Sequence, residues 1–224
     1  MSDLGLLELT DEGLAMISAS LEGASASEII RWAVDQFGEG LCLTSSMSEA
    51  VLIDLALKVD PTIEVIFLDT QYHFPETLET LVAVQERYQP NLTVMRPDFP
   101  LDDLWAIDTD TCCERRKVRQ LNVAMSGKSA WLSGLRRVDN AGRADAPIVS
   151  RDRHGRVKVN PIVAWSDADI ETYIAAHDVP VNPLLSQGYL SIGCWPCTSK
   201  VGEGEDARSG RWAGSGKTEC GLHT

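Results

Sequence analysis

The segment Leu41-Cys-Leu-Thr-Ser-Ser-Met-Ser48 decides the fold, because a short apolar run passes directly into a polar turn. A helix is predicted to follow, from Glu49 to about Lys58. The same order of strand and helix returns downstream, with predicted strands at 63–68, 92–95 and 130–133 and a helix at 75–88. Strand–helix alternation at this spacing predicts an α/β fold with a parallel sheet flanked by helices.

The rest of the chain divides around this core. A helix is predicted after the capping-box sequence Ser25-Ala-Ser-Glu28, ending at Gly38. Beyond residue 140 we expect an irregular loop or hairpin that ends in a strand at 157–159, followed by a helix at 165–177. Three parts are therefore expected: a loosely attached acidic N-terminal arm at 1–20, an α/β domain at 21–200 that includes an irregular cysteine-bearing segment, and a flexible, glycine-rich tail at 201–224.

Charge is unevenly spread along the 224 residues, whose net charge is −13. Residues 1–111 hold 21 acidic and four basic side chains, whereas residues 112–224 hold 12 acidic and 16 basic ones. The net charge argues against a nucleic-acid partner, but the asymmetry suggests an anionic ligand on the C-terminal half. An acidic half that merely aids solubility is the alternative. Short apolar runs and no visible secretory signal predict a cytoplasmic protein without a membrane partner.

The polar turn after the first strand is a candidate anion site. In open α/β sheets, ligands bind beyond the carboxyl ends of the strands, and a helix N-terminus offers unpaired N–H groups. Ser45, Ser46 and Ser48 add hydroxyl donors, although a serine that caps the following helix is the simpler interpretation. Asp69 ends the second strand and is similarly placed for a ribose or an adenine edge, with helix capping as its alternative.

Four cysteines form two pairs, Cys112-Cys113 and Cys194-Trp-Pro-Cys197. The second spacing is frequent in metal half-sites, because it lets two thiolates reach one ion or cluster. Neighbouring side chains on a helix diverge by roughly 100°, which an iron–sulfur cluster tolerates better than one zinc ion. An iron–sulfur cluster is therefore favoured over zinc or four buried thiols. Lys117 follows Cys113 by four residues, on the same helical face, and could stabilise such a cluster or an anionic substrate.

Cys220 lies in the polar tail and is predicted to be reactive, whereas Cys42 in the first strand is predicted to be an inert core residue. Basic neighbours favour the thiolate, and upstream glycines would let the tail move between a substrate and an external reductant. Guanidinium forks suit sulfate and phosphate oxygens, although each arginine alone is more simply a solvated surface residue. The candidates near the thiol are Lys217, His223, Arg208 and Arg211, and those for the anion are Arg136, Arg137, Arg208 and Arg211.

Several stretches in order from about residue 25 to the C-terminus carry a family resemblance. They are Leu68-Asp-Thr70, Pro75-Glu-Thr77, Cys112-Cys-Glu-Arg-Arg-Lys-Val118, Ser133-Gly-Leu-Arg-Arg137, Asn160-Pro-Ile162, Asn182-Pro-Leu184, Gly188-Tyr-Leu-Ser-Ile-Gly-Cys-Trp-Pro-Cys-Thr198, Arg208-Ser-Gly-Arg-Trp212 and Glu219-Cys-Gly-Leu-His223. The sequence resembles the assimilatory adenosine 5′-phosphosulfate (APS) reductases, the iron–sulfur branch of the phosphosulfate reductases. The cysteine pairs together with the terminal motif are the specific part of this resemblance.

The resemblance implies an adenine-nucleotide α-hydrolase-like fold (PP-loop, Rossmann-like), with residues 21–200 as its nucleotide-binding domain. It implies one 4Fe–4S cluster on Cys112, Cys113, Cys194 and Cys197. It also implies that the Cys220 thiolate attacks the sulfur of APS and releases AMP, after which thioredoxin or a glutaredoxin-like dithiol releases sulfite from the S-sulfocysteine. The residues expected to bind substrate are Ser45, Ser46, Ser48, Asp69, Lys117, Arg136, Arg137, Arg208, Arg211 and His223.

Two features depart from the family pattern. The nucleotide turn reads Thr44-Ser-Ser-Met-Ser48 where family members often carry glycines, and no thioredoxin-like segment follows Cys220, so we expect an external reductant. The closest alternative function is reduction of the 3′-phosphorylated nucleotide, PAPS, alone or together with APS. A non-catalytic iron–sulfur or zinc redox sensor and an adenylating enzyme are more distant alternatives. A homo-oligomer is compatible with the sequence.

Overall fold

A computed structural model describes residues 9–202, 204–212 and 217. Within them, six strands form one sheet in the order β3-β2-β1-β4-β6-β5. The strands are β1 (Leu41–Ser45), β2 (Glu64–Leu68), β3 (Asn91–Met95), β4 (Ala130–Leu132), β5 (Val149–Arg151) and β6 (Val157–Val159). The helices are α1 (Asp11–Leu21), α2 (Ala26–Phe37), α3 (Val51–Val59), α4 (Pro75–Tyr88), α5 (Leu104–Ile107), α6 (Thr109–Cys113), α7 (Arg119–Ala124) and α8 (Asp167–His177).

The sheet confirms the predicted α/β class. β1 runs parallel to both of its neighbours, so that Leu43 pairs with Val65 on one side and with Leu132 on the other. β5 is antiparallel to β6, so the segment before 157–159 forms the hairpin that the sequence analysis gave as one of its two expectations. The two strands are joined by the turn at 152–156, which is too short for the crossover that a parallel pair requires.

The central strand is buried on both faces. Cys42 packs with Ile66 and Trp131 on the face that α7 covers, and its thiol donates to the Ala130 carbonyl at 3.7 Å. Leu43 points to the opposite face and joins the main core beneath α2 and α3. Cys42 is fully buried, which confirms the prediction of a core residue, and burial raises its pKa to about 12.

Residues 11–20 are part of the fold, and the prediction of a loosely attached arm is wrong for them. Thr10 caps α1 by accepting a hydrogen bond from the Gly13 N–H, at 3.1 Å. Leu14, Ile17 and Leu21 are at most 2% exposed and belong to the main core. Their spacing of three and four residues places them on one face of α1, which packs on β5. The prediction rested on the acidic character of this segment and overlooked its apolar face.

The described part of the tail also packs on the domain. The prediction of a flexible segment is therefore wrong for residues 201–202 and 204–212. The Ser199 N–H donates to the Gly210 carbonyl at 2.9 Å, and the Trp212 N–H donates to the Cys197 carbonyl at 3.0 Å. Arg211 and Trp212 are 9% and 5% exposed. In the part of the chain that the structure describes, no helix combines the length and apolar character of a membrane crossing.

Candidate active site

The carboxyl ends of β1 and β4 form the crevice in which an open α/β sheet binds ligands. From β1 the chain proceeds to β2 and β3 on one side, and β4 then takes its place on the other side of β1. Such a reversal is a topological switch point, where ligands sit in this architecture. Residues 44–48, called the serine loop here, leave β1 at this crevice, and Gly134 follows β4 into it.

The serine hydroxyls bond within the serine loop. Ser45 Oγ accepts a hydrogen bond from the Met47 N–H at 3.1 Å, and the hydroxyl oxygens of Ser46 and Ser48 lie 3.2 Å apart. Met47 itself is fully buried and has a φ of 57°, a left-handed conformation that is uncommon for a residue with a side chain. The loop is therefore held in one shape by its own contacts.

The helix after the loop is capped by a carboxylate and not by a serine. α3 begins at Val51, its N-cap position is Ala50, and no side chain at that position makes a cap bond. The Val51 N–H donates to the Glu49 carboxylate instead. Serine capping of this helix is therefore the wrong interpretation of the turn. Burial raises the pKa of Glu49, against the opposing effect of the bond from the Val51 N–H.

Asp69 stabilises the turn after β2. Its Oδ1 accepts a hydrogen bond from the Gln71 N–H at 2.8 Å, and its Oδ2 lies 3.6 Å from Arg96 Nε. The N-cap position of α4 is Phe74, so Asp69 does not cap that helix. Its predicted contact with a ribose or an adenine edge stays a prediction.

All four cysteines of the two pairs line one cavity. Cys112 and Cys113 are 7% and 8% exposed, and Cys194 and Cys197 are half-buried. Lys117 lines the same cavity, as the sequence predicted from its spacing to Cys113. The pairs are 81 positions apart in sequence, from 113 to 194. The loop after β2 contacts the segments that carry both pairs, because the Thr70 carbonyl accepts a hydrogen bond from Arg116 at 3.4 Å and the Tyr72 carbonyl accepts one from the Trp195 N–H at 2.8 Å.

Local hydrogen bonds hold the backbone around each cysteine pair. Asp108 caps α6 by accepting a hydrogen bond from the Thr111 N–H at 3.0 Å. α6 then passes into a π-helical turn at Glu114–Val118, which brings Lys117 to the cavity. The second pair flanks a 3₁₀ turn, in which the Cys197 N–H donates to the Cys194 carbonyl at 2.9 Å.

Burial and the neighbouring thiols raise the pKa of two of the four cysteines. Burial, followed by repulsion from Cys113, Cys194 and Cys197, raises the pKa of Cys112 to about 11. Burial and the same kind of repulsion raise the pKa of Cys197, against the opposing effect of Lys117. Four thiolates in this cavity therefore require a positively charged group among them.

The donor set suits an iron–sulfur cluster. It consists of four cysteine sulfurs, the ligand set of a 4Fe–4S cluster, and two of them come from a Cys-x-x-Cys spacing. Over residues 9–202, 204–212 and 217, no three His, Cys, Asp or Glu side chains converge as a site for one metal ion.

Arg211 brings a guanidinium to the cysteine cavity. Its Nη1 donates to the Ile192 carbonyl at 3.4 Å, while its buried Nε has no hydrogen-bond partner in the described part of the chain. The side chain lies so close to Gly193 that a Cβ there would come within 2.3 Å of Nη2, which explains the glycine. A buried, incompletely paired guanidinium fits an anionic ligand.

Trp212 gathers three of the candidate cations and was missed by the sequence analysis as a site residue. The guanidinium carbons of Arg211 and Arg208 lie 4.4 Å and 5.8 Å from the centre of its ring, and Lys217 Nζ lies at 5.5 Å. Trp212 also lines the cysteine cavity. An aromatic face that attracts cations can hold them near an anion without neutralising them.

Lys217 brings the tail to the helix that carries the first cysteine pair. Its Nζ lies 2.5 Å from Asp110 Oδ1. Burial opposes the charge of Lys217, but the bond to Asp110 and the neighbouring Cys113 outweigh burial and raise the pKa of the lysine. Cys220 and His223, predicted as nucleophile and substrate ligand, lie outside the described residues.

Arg136 and Arg137 are engaged by carboxylates away from the cysteine cavity. Arg136 pairs with Asp139 and Asp167 at 2.9 Å each. Arg137 pairs with Glu22, in the loop between α1 and α2, and donates to the Ala146 carbonyl at 2.9 Å. Neither lines the cavity that holds Lys117. Their predicted contact with substrate stays a prediction.

Arg116 is a buried cation that the sequence analysis did not single out. It is 1% exposed, lies 4.7 Å from the ring centres of both Tyr72 and Phe99, and lines the cysteine cavity. Its guanidinium donates to the Gln71 side chain at 2.7 Å and pairs with Asp102 at 3.1 Å. It thereby connects the Cys112-Cys113 helix to the loop after β2. Nothing in the run of basic residues 115–117 distinguishes it.

Comparisons with known proteins agree with this arrangement. Residues 41–200 match the family model described as phosphoadenosine phosphosulfate reductase domain. A Streptomyces coelicolor protein named adenosine 5′-phosphosulfate reductase is 48% identical, over 91% of this chain and 90% of the relative. A Mycolicibacterium smegmatis protein of the same name is 48% identical, over 97% of this chain and 94% of the relative.

Solved structures agree in fold. Phosphoadenylyl-sulfate (PAPS) reductase from Candida auris, in a phosphate complex, superposes with a TM-score of 0.77 at 31% identity, covering 87% of this chain and 98% of that one. An NH3-dependent NAD synthetase from Campylobacter jejuni gives a TM-score of 0.51 at 11% identity, covering 73% and 74%. The second likeness concerns the fold alone.

Proposed function

This chain belongs to the phosphoadenosine phosphosulfate reductase domain family, and from that premise we propose that it reduces APS to sulfite and AMP in sulfate assimilation. One observation carries the proposal: relatives named adenosine 5′-phosphosulfate reductase are 48% identical over nine-tenths or more of both chains. The described site agrees with it, because a switch-point crevice for a nucleotide and a basic, cysteine-lined cavity occur in one domain.

We infer that Cys112, Cys113, Cys194 and Cys197 hold a 4Fe–4S cluster. All four line one cavity, and the raised pKa values of Cys112 and Cys197 indicate thiols that need a positive partner to ionise. When bound, the cluster would supply that positive charge and would join α6 to the loop at 194–197. The nearby basic side chains would then interact with the anionic substrate as well as with the cysteine sulfurs.

The reaction proceeds through a covalent intermediate on Cys220. The thiolate attacks the sulfur of APS, an S–S bond forms, the bond between sulfur and the bridging oxygen breaks, and AMP leaves with that electron pair. A thiolate of an external dithiol then attacks Cys220 Sγ, so that sulfite leaves and a mixed disulfide forms. The second thiol of the reductant resolves the disulfide, and the dithiol supplies both electrons. Thioredoxin or a glutaredoxin-like protein has the required chemistry.

The basic groups at the cavity screen the charge of this reaction. A thiolate that approaches a sulfate group meets like charge, and Lys117 and Arg211 line the cavity in which that repulsion would be reduced. Cys220 follows Lys217 by three residues, a span of at most roughly 11 Å between Cα atoms. Lys217 itself contacts Asp110, which lies beside the first cysteine pair.

Reduction of PAPS is the second candidate, favoured by the likeness to the Candida auris PAPS reductase. Sulfite release from APS and from PAPS, measured with the same dithiol, decides between them. We expect the rate with APS to exceed that with PAPS, and Cys220→Ser to abolish both. Cys42→Ser is the matched control, because Cys42 is a buried thiol outside the site. Bound zinc without iron and no sulfite release would favour the non-catalytic sensor instead.

A further inference from the structure

Asn182 is a buried side chain between the serine loop and the segment that leads to the second cysteine pair. It is fully buried, and its backbone N–H donates to the Ser48 carbonyl at 3.0 Å. Its side-chain Nδ2 donates to the Met47 carbonyl at 3.3 Å and to Thr77 Oγ1 at 3.1 Å. Two consecutive carbonyls of the serine loop are thus held by one residue that is 135 positions away from Met47.

The loop conformation that Asn182 holds is a strained one. Met47 has a φ of 57°, where a non-glycine residue costs roughly 1 kcal/mol or more. Its side chain is fully buried and its amide donates to Ser45 Oγ, so the strain is balanced by packing and hydrogen bonds. The carbonyls of Met47 and Ser48 accept hydrogen bonds from Asn182, whereas the hydroxyls of Ser46 and Ser48 bond to each other.

We propose that Asn182 is a positioning residue that keeps the serine loop in its nucleotide-binding conformation. The proposal rests on the proposed function, because it takes the ligand of that loop to be an adenine nucleotide. Without the Nδ2 donor, the Met47 carbonyl loses its buried partner and the left-handed conformation loses a support. The loop would then sample other conformations, and the nucleotide would have to bind at the expense of ordering it.

A second role of Asn182 must be kept intact in the test. Its Oδ1 accepts a hydrogen bond from the Leu184 N–H at 3.1 Å and so begins the 3₁₀ turn at 183–187. Asn182→Asp retains an acceptor for that bond and removes the amide donor to Met47. Asn182→Ser also retains a capping oxygen and buries no charge, so it serves if the aspartate variant folds poorly.

Asn160→Asp is the matched control. Asn160 is 2% exposed, and its Nδ2 donates to the Pro147 carbonyl at 2.9 Å, so the substitution removes the same kind of bond elsewhere. The measurement is AMP binding by isothermal titration calorimetry with the cluster-loaded full chain, accompanied by the KM and kcat for APS. The iron content and far-UV circular dichroism of each variant establish that it is folded and loaded.

We expect both Asn182 variants to bind AMP about 10-fold more weakly, and to show a raised KM with kcat changed by less than about 2-fold. Asn160→Asp should bind AMP like the wild type. Unchanged AMP affinity in folded Asn182 variants, or an equal loss in the control, would overturn the positioning role while leaving the proposed function intact. Failure of the wild-type chain itself to bind AMP or reduce APS would instead overturn the proposed function and, with it, this inference.

Discussion

Thr70 Oγ1 lies 3.2 Å from Cys194 Sγ, so the end of β2 contacts the loop that carries the second cysteine pair. A hydroxyl donated to a ligating sulfur orients it and stabilises its charge. We expect Thr70→Val, which keeps the shape and removes the hydroxyl, to weaken retention of iron roughly 10-fold against a chelator. Iron release followed by absorbance measures this. Thr80→Val is the control, because Thr80 is also buried but its hydroxyl bonds to the Glu76 carbonyl within α4. Equal rates of iron release from the two variants would contradict a role for the Thr70 hydroxyl at Cys194.

Arg211 is expected to contribute directly to substrate binding. It lines the cysteine cavity, is 9% exposed and has an Nε without a partner in the described residues. Hydrogen bonds to charged groups contribute about 1.5–3 kcal/mol, so Arg211→Ala should lower kcat/KM for APS roughly 10- to 100-fold. Steady-state kinetics measure the loss. Arg151→Ala, which removes a surface arginine paired with Asp11, should leave kcat/KM within about 2-fold, and a similar loss there would refute a specific role for Arg211.

Gly193 is expected to act through Arg211. A Cβ at position 193 would approach Arg211 Nη2 to 2.3 Å, so Gly193→Ala must displace the guanidinium. We expect Gly193→Ala to reduce kcat/KM about as much as Arg211→Ala does. The double variant should be no worse than Arg211→Ala alone, because the displaced group is then already absent. Additive losses in this double-mutant cycle would show that the glycine matters for another reason.

Asp54 is expected to make stability depend on pH. Burial would raise its pKa, but bonds from Lys58 and Tyr173, at 2.6 Å and 2.7 Å, together with Tyr88, outweigh burial and lower it. A carboxyl whose pKa is lower in the folded state stabilises the fold above its unfolded pKa of about 3.9, and this is lost as the pH falls through the folded pKa.

Asp54→Asn should therefore lower Tm at pH 7 by roughly 4–8 °C, for a loss of about 2 kcal/mol. The difference between variant and wild type should shrink below about pH 4. Thermal unfolding by circular dichroism at several pH values measures it. Asp178→Asn removes a fully exposed partner of Arg87 and should change Tm by less than about 2 °C. A pH-independent Tm difference for Asp54→Asn would mean that packing, and not charge, is responsible.

The local pattern of the sequence predicted the elements that build the crevice. α4 begins at Pro75 and ends at Tyr88 as predicted, because its proline and its apolar spacing are local signals. β1 and its polar turn were likewise readable. α1 was misjudged because acidic residues at its start obscured the apolar face of Leu14, Ile17 and Leu21.

The parts of the site that the sequence could not predict depend on distant contacts. Spacing paired Cys112 with Cys113 and Cys194 with Cys197, but neither Arg116 between two aromatic rings nor the packing of Trp212 has a local signature. The sequence alone could not distinguish Arg211, which lines the cysteine cavity, from Arg137, which pairs with Glu22. Such choices are made by tertiary packing.

Mass spectrometry of the full chain after incubation with APS, with no thiol present, tests the central claim most directly. The account predicts a sulfonate adduct on Cys220 and release of AMP in equal amount, with Cys42 unmodified. Added dithiol should remove the adduct and release sulfite. The account would be contradicted if Cys220 stayed unmodified, or if Cys220→Ser released sulfite from APS at the wild-type rate.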